Sequence, residues 1–383
     1  MKTVIVSGAL ANKPGQGGEA WVRLNWVLGF RELGWKVYFI EEIASAACRD
    51  TEGRAVVFAA SVNRAYFERV IRDFGLEGSA SLICDQGAEI FGADAKQLAN
   101  LAARSELLVN ISGHLRYEPV FARVKRRIYV DIDPGFTQFW TAQGNSGAHL
   151  EGHDQLFTIG ENIGLPDCPI PTCGRHWLHT RPPIVLSQWP VVTSPHLDRF
   201  TTIANWRGPF GPVTFAGTTY GLKVHEFRKI LSLPQRTGQR FGMALNIHPA
   251  DGRDLDALSK AGWEIENPVS AAGDPNKFRD FIQRSAAEFS VSQGIYAQTR
   301  SGWFSDRTAA YLATGKPALV QDTGFSRHLP VGDGLVPFHT VEEAANGAIR
   351  IAADYTRHCH AARAIAEEHF DSRRVIARFL ENI

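Results

Sequence analysis

Cysteine is scarce and unpatterned, with five in 383 residues. A secreted disulfide scaffold needs cysteines at close, paired spacings, so that class is excluded and a reducing, cytoplasmic setting is expected. Long apolar runs are missing as well. The opening Val4, Ile5, Val6 stretch is too short for a leader or a membrane span and reads as a buried strand. Surplus charge is nearly absent: 41 Lys and Arg stand against 40 Asp and Glu, a formal +1. With no basic stripe, no nucleic-acid partner is expected. The densest basic run (Arg123, Lys125, Arg126, Arg127) reads as a solvated helix end. Short-period repeats and low-complexity segments are lacking too. What is present is ordinary globular composition, 44% hydrophobic and 21% charged, over a length that suits two domains.

The first half alternates short apolar runs with amphipathic patterns. Strands are expected over 4–7, 36–40, 107–111, 127–132 and 155–159, and helices over 19–33 (closed by Gly34), 60–73 and 95–103. Strand and helix in alternation imply a parallel sheet covered on both faces, an α/β fold. The stretch 165–195 holds seven prolines (Pro166, Pro169, Pro171, Pro182, Pro183, Pro190, Pro195) and reads as an extended linker between domains. The rhythm then resumes. Strands are expected over 202–205, 240–246, 288–291 and 317–320. Helices are expected over 224–231, 277–288, 306–314 and 341–360, with one or two more over 361–380.

Several places carry residue types suited to chemistry. The loop after the first strand holds Gly8 and then Gly15, Gly17 and Gly18 before Glu19. It lacks the spacing of a dinucleotide fingerprint and the lysine of a P-loop, and is read either as a ligand loop or as a surface loop. The segment 299–325 is the most informative. A turn with Arg300, Ser301, Gly302, Trp303 and Ser305 leads into a helix starting at Asp306 and Arg307, which Gly315 closes before a new strand. Free amides at such a helix start, with Arg307, suit a pyrophosphate. Asp306 or Asp322 suits ribose or sugar hydroxyls, and Trp303 is placed beside them. Asp131 and Asp133 share one strand face, and are read as a strand-end feature rather than a metal site. His248 reads as a loop residue. Cys168, Cys173, His176 and His179 are zinc-type residues at spacings that do not match the usual zinc motifs, and no metal site is assigned.

The helix with Arg307, Tyr311, Leu312, Ala313, Gly315 and Pro317, followed by Gln321, Asp322, Thr323, Gly324 and Phe325, resembles the donor-binding region of bacterial GT-B glycosyltransferases. The segment 361–380, with Glu367, Glu368, His369 and Phe370, resembles that family's terminal helix. The resemblance implies two Rossmann-like domains facing across a cleft: 1–190 for the acceptor, 191–362 for a nucleoside-diphosphate sugar, and 363–383 as a helix crossing back to the first domain. It implies a hexosyltransferase that moves a sugar to a hydroxyl of a small molecule or glycan, without metal or other cofactor. Arg207 and Lys223 stand where that family keeps a basic pair to neutralise the leaving diphosphate. Many retaining members place a glutamate shortly before the glycine that ends the donor helix. Here the position is Ala310, so the retaining subclass is not implied. Asp133, His114 and Glu19 are the candidate bases, with Glu161 behind them. A nucleotide-sugar epimerase of the same fold, or a non-catalytic nucleotide-sugar-binding protein, is the alternative. Oligomeric state is not legible.

Overall fold

The computed structural model describes residues 2–383. Its first sheet has eight strands: β1 (Thr3–Ser7), β2 (Lys36–Ile43), β3 (Ala80–Cys84), β4 (Glu89–Phe91), β5 (Leu107–Ile111), β6 (Arg127–Asp131), β7 (Gln155–Thr158) and β8 (Trp177–His179). Their order is β4-β3-β2-β1-β5-β6-β7-β8, all parallel except the β3–β4 pair. Val4, Ile5 and Val6 are each 0% exposed, as expected of a parallel strand covered on both faces. The strand order reverses between β1 and β5, which opens a crevice at their carboxyl ends.

The second half contains β9 (Phe200–Asn205), a small antiparallel hairpin of β10 (Val213–Phe215) and β11 (Thr218–Tyr220), then β12 (Phe241–Asn246), β13 (Trp263–Glu266), β14 (Ala287–Ser290), β15 (Ala318–Gln321) and β16 (Leu335–Phe338). The six strands outside the hairpin form a parallel sheet ordered β13-β12-β9-β14-β15-β16, which reverses between β9 and β14. Each half is therefore a doubly wound α/β unit, and the two reversal points face one another.

Some expected boundaries shift. The proline-rich stretch 165–195 is not only a linker: Trp177–His179 pairs parallel to β7 as the last strand of the first sheet. An edge strand bonds on one side only, so nearby prolines do not prevent it. The helix expected over 277–288 is Pro275–Arg284, capped by the Asp274 carboxylate on the Lys277 amide at 2.9 Å. The helix expected over 341–360 is two helices, Val341–Ala353 and Tyr355–His369, broken where Asp354 takes φ −140° and ψ 57°.

The halves touch closely. One continuous apolar cluster runs from Val4 and Trp21 in the first half through Phe278, Phe304 and Tyr311 in the second to Phe370 and Phe379. The Trp21 indole donates to the Pro275 carbonyl at 2.8 Å. A Cβ on Gly17 would sit 2.1 Å from the Asp274 carbonyl oxygen, and one on Gly18 would sit 2.8 Å from the Phe278 ring. The glycines at the start of the opening helix Gly17–Glu32 thus let the helix Pro275–Arg284 approach. On another face Asn162 ties the halves: its Nδ2 donates to the Arg300 carbonyl at 2.7 Å, and its amide to the Ser301 carbonyl at 3.0 Å. The helix Ser372–Glu381 returns to the first half. Ser372 and Ile376 lie over Gly29 of the opening helix, and Ile184 exchanges backbone bonds with Phe370 and Ser372 at 2.7 and 2.9 Å.

Candidate functional site

Between the two reversal points lies a cavity of about 420 Å³. Its floor is the carboxyl ends of β9 and β12 (Ile203, Ala204, Asn205, Asn246). Its opposite wall is the start of the opening helix, Gly15 to Glu19, with Asp133 just beyond β6. Lys223, Gln293, Ser305, Asp306 and Arg307 complete it. A narrower cavity of about 130 Å³ shares the wall formed by Glu19, Asp133, Tyr296, Trp303 and Asp306, and adds Asn25, Trp26, Pro182 and Pro183. Residues expected from both halves therefore meet in one place.

The helix Asp306–Ala313 points its start into the larger cavity. Ser305 occupies its N-cap but makes no side-chain capping bond. The first amides of a helix have no intrahelical partners, so they and the helix dipole face the cavity. Lys223, at the start of the helix Lys223–Lys229, is the nearby cation with no carboxylate partner. Burial first, and the Arg307 charge second, push its pKa down to about 7. A lysine kept near neutrality by burial and by a neighbouring cation is poised for an anion, whose arrival restores its proton.

Arg307 is in the cavity wall, but its charge is committed. Its Nε donates to the Glu288 carboxylate at 2.7 Å, Nη1 to the Ile203 carbonyl at 2.8 Å and Nη2 to Ser290 Oγ at 2.7 Å. Glu288 is wholly buried. Arg307 thus braces the strand ends rather than standing free for a phosphate. Arg207 does not line the cavity, which at that point is Gly208 and Pro209. Its guanidinium pairs with Asp251 and is 54% exposed. Asp322 is absent from the cavity wall: it holds its own turn, accepting from the Gly324 amide at 2.9 Å and Ser326 Oγ at 2.6 Å. Arg300 and Ser301 present carbonyls to Asn162 and form the seam between halves, not the cavity. Gly302 belongs to the same seam, because a Cβ there would lie 2.8 Å from the Asn162 amide. Trp303 does line the site, stacked on Tyr296 with ring centroids 4.5 Å apart.

Three carboxylates converge from three elements. Asp133 is pushed up to about 7, by burial first and then by Asp131 and Glu19. Asp306 rises to about 6 through burial and Glu19. Burial raises Glu19 also, but Arg23 and Lys13 together outweigh it and hold its pKa below the ordinary value; Arg23 bonds it at 2.5 Å. Asp131 is fully engaged by Thr137, Gln138, Thr158 and the Asp133 amide. It fixes the loop that carries Asp133. His114 lies outside both cavities, and burial with Arg23 and Lys13 drives its pKa down to about 3. Glu161 is paired to Arg181 at 3.0 Å. The His248 ring caps its own loop, accepting from the Ala250 amide.

Sequence reasoning missed Tyr296, Gln293, Asn246 and Asn25. None sits in a motif, and only the facing of two sheets brings them together. Among the described residues no group of three His, Cys, Asp or Glu side chains is arranged to hold a metal. Cys173 Sγ and His179 Nε2 each face a backbone carbonyl. No helix among the described residues is long and apolar enough to cross a membrane.

No protein-family model and no curated protein matches the chain. Solved structures do. An alpha-glucosyltransferase in complex with UDP and a 13-mer DNA matches at TM-score 0.59 and 11% identity, over 100% of this chain and 99% of that one. Sucrose-phosphate synthase from Thermosynechococcus elongatus matches at 0.56 and 11%, over 100% and 98%. HepE from Anabaena, in complex with UDP and glucose, matches at 0.60 and 12% over the whole of both chains. The fold of this chain is accordingly that of the GT-B glycosyltransferases, two α/β units across a cleft. The same comparison corrects one expectation. A near-zero net charge and the lack of a basic stripe lead to the expectation of no nucleic-acid partner, yet the alpha-glucosyltransferases of this fold are seen with DNA. Phosphate contacts depend on where cations lie on a surface, not on the sum over the molecule, so a net +1 excludes nothing.

Proposed function

We propose that this GT-B-fold chain transfers a sugar from a nucleoside-diphosphate sugar to a hydroxyl of an acceptor. The observation that carries the reading is the joint wall of the cleft: a free helix start and the unpaired Lys223 on one side, and Asp133 on the other. The neighbours seen with UDP or UDP-glucose favour a uridine donor. In the proposed reaction the acceptor oxygen forms a bond to the anomeric carbon while the bond from that carbon to the phosphate oxygen breaks. The departing electron pair and negative charge go to the diphosphate, which Lys223 and the amides of Ser305 to Arg307 hold. The acceptor proton passes to Asp133, whose pKa near 7 suits a base working near neutrality. Asp306, without a side-chain partner, takes a donor hydroxyl, and Trp303 packs beside it. Residues 1–190 present the acceptor, 191–362 the donor, and 363–383 brace the first half. With Lys223 and the helix-start amides in place, the proposed chemistry calls for no metal or other cofactor.

The reading is tested by thermal shift with UDP, GDP, ADP and their glucose conjugates, followed by transfer assays on monosaccharides, glycans and DNA oligonucleotides. One diphosphate is expected to raise the melting temperature, by mass action on the folded state, and Lys223→Ala is expected to abolish that rise. If no nucleotide diphosphate stabilises the protein, the donor site is elsewhere. If the bound donor alone is converted to an epimer, transfer is the wrong reaction.

A further inference from the structure

Asp133 has one bound oxygen and one free oxygen. Its Oδ1 accepts from the Tyr296 hydroxyl at 3.1 Å, and no hydrogen bond engages Oδ2. The two residues come from opposite halves: Asp133 follows β6, and Tyr296 lies on the helix Gly294–Thr299 beyond β14. Tyr296 is 4% exposed and fixed by packing. One ring face stacks on Trp303, and Phe136 meets it edge-on at 6.0 Å. It borders both cavities, so it stands at the neck between the donor wall and the narrow cavity.

We infer that Tyr296 is a positioning residue, reaching across the cleft to orient Asp133 so that Oδ2 points at the acceptor hydroxyl only when the halves are together. The inference rests on the proposed transfer and on Asp133 as its base. A base held by a third group loses fewer encounters to wrong rotamers. Because the hydroxyl comes from the donor half, alignment of the base depends on closure. The donor side of the cleft, through the Trp303–Tyr296 stack, thereby governs when the acceptor is activated. Water entering an open cleft meets a base that is not aimed.

The test compares Tyr296→Phe, which keeps the ring and its stack, with the wild type. Donor affinity from thermal shift is expected to be unchanged, while kcat/KM for transfer falls roughly ten- to a hundredfold. Donation from the hydroxyl favours the charged carboxylate, so its loss is expected to move the acidic limb of the kcat/KM profile to higher pH. The other groups facing Asp133 (Asp131 on its own element, Glu19 and Arg23 on the opening helix) and Asp306 at the donor helix stay in place. Asp133→Asn and the Asp133→Asn, Tyr296→Phe pair are expected to be equally slow. An unmoved acidic limb, or losses that multiply in the pair, overturns the inference while leaving transfer itself standing. Absence of any transfer by the wild type instead sinks the functional reading beneath it.

Discussion

At the scale of single residues, partnership decides what a charge does. Arg307 was read from sequence as a phosphate ligand, yet three of its bonds go to Glu288, Ser290 and Ile203. Arg307→Ala leaves the buried Glu288 carboxylate alone, a change that costs about 3–5 kcal/mol. Denaturant titration should show that loss, and Glu288→Gln in the same chain should recover much of it. A pure phosphate ligand would show neither effect. Lys223 behaves differently because no carboxylate claims it. With its pKa near 7 it is largely neutral at pH 8, and a bound diphosphate draws a proton onto it. Calorimetry of UDP binding at pH 8 in buffers of different ionisation enthalpy should report net proton uptake, and Lys223→Ala should abolish it. Asp133 supplies a stability signature with a fixed sign. Its folded pKa, near 7, lies above the ordinary carboxylate value, so the folded state holds the extra proton. Its contribution is present below about pH 4 and is lost as pH rises through 7. Asp133→Asn should therefore raise the melting temperature of ligand-free protein more at pH 8 than at pH 5. An equal rise at both would place that carboxylate in a solvated position.

At the scale of elements, the sequence was legible where local rules suffice. The helix expected over 95–103 is Ala95–Ala103, and the structure shows what fixes its start: Asp94 and Gln97 form a capping box before an amphipathic run. Gly34 and Gly315 close their helices at φ 78° and 73°, the left-handed region that glycine adopts freely. Legibility failed where the partner is remote. Trp177–His179 is a strand only because β7 lies beside it, and the prolines around it hide that from any local pattern. The break at Asp354 interrupts what reads as one long helix. In the site, Asp133 and Glu19 were legible as candidate bases, while Lys223 came with the resemblance to the family's basic pair. Tyr296 was not legible, because its role depends on a carboxylate 163 residues away. The glycines at the opening helix show the same limit: they read as a ligand loop or a surface loop, whereas Gly17 and Gly18 also admit a helix of the other half. Gly17→Ala should destabilise the chain by about 1–3 kcal/mol as measured by denaturant midpoint, since the obstacle is backbone that cannot rotate away. A silent Gly17→Ala would mean that the halves separate readily at that contact.

At the scale of the whole molecule, two similar units are joined along seams that leave the reversal points of both sheets facing the same space. The Asn162 seam and the Trp21–Pro275 contact fix the spacing of that space from different sides. Asn162→Ala removes the side-chain bonds to the Arg300 and Gly324 carbonyls, keeps the backbone bond to Ser301 and does not touch the cavity wall, so it should weaken UDP binding, read by thermal shift, while leaving the circular dichroism spectrum of the fold intact. Unchanged affinity would show that the turn is held by other contacts. The return of the helix Ser372–Glu381 onto the opening helix carries a consequence for synthesis. Arg373 bonds Glu32 across 341 residues of sequence. A ribosome delivers the first sheet long before its missing wall, so the nascent chain must carry a bare apolar groove along Gly29 through almost all of translation. Folding here cannot finish in the order in which the polypeptide emerges.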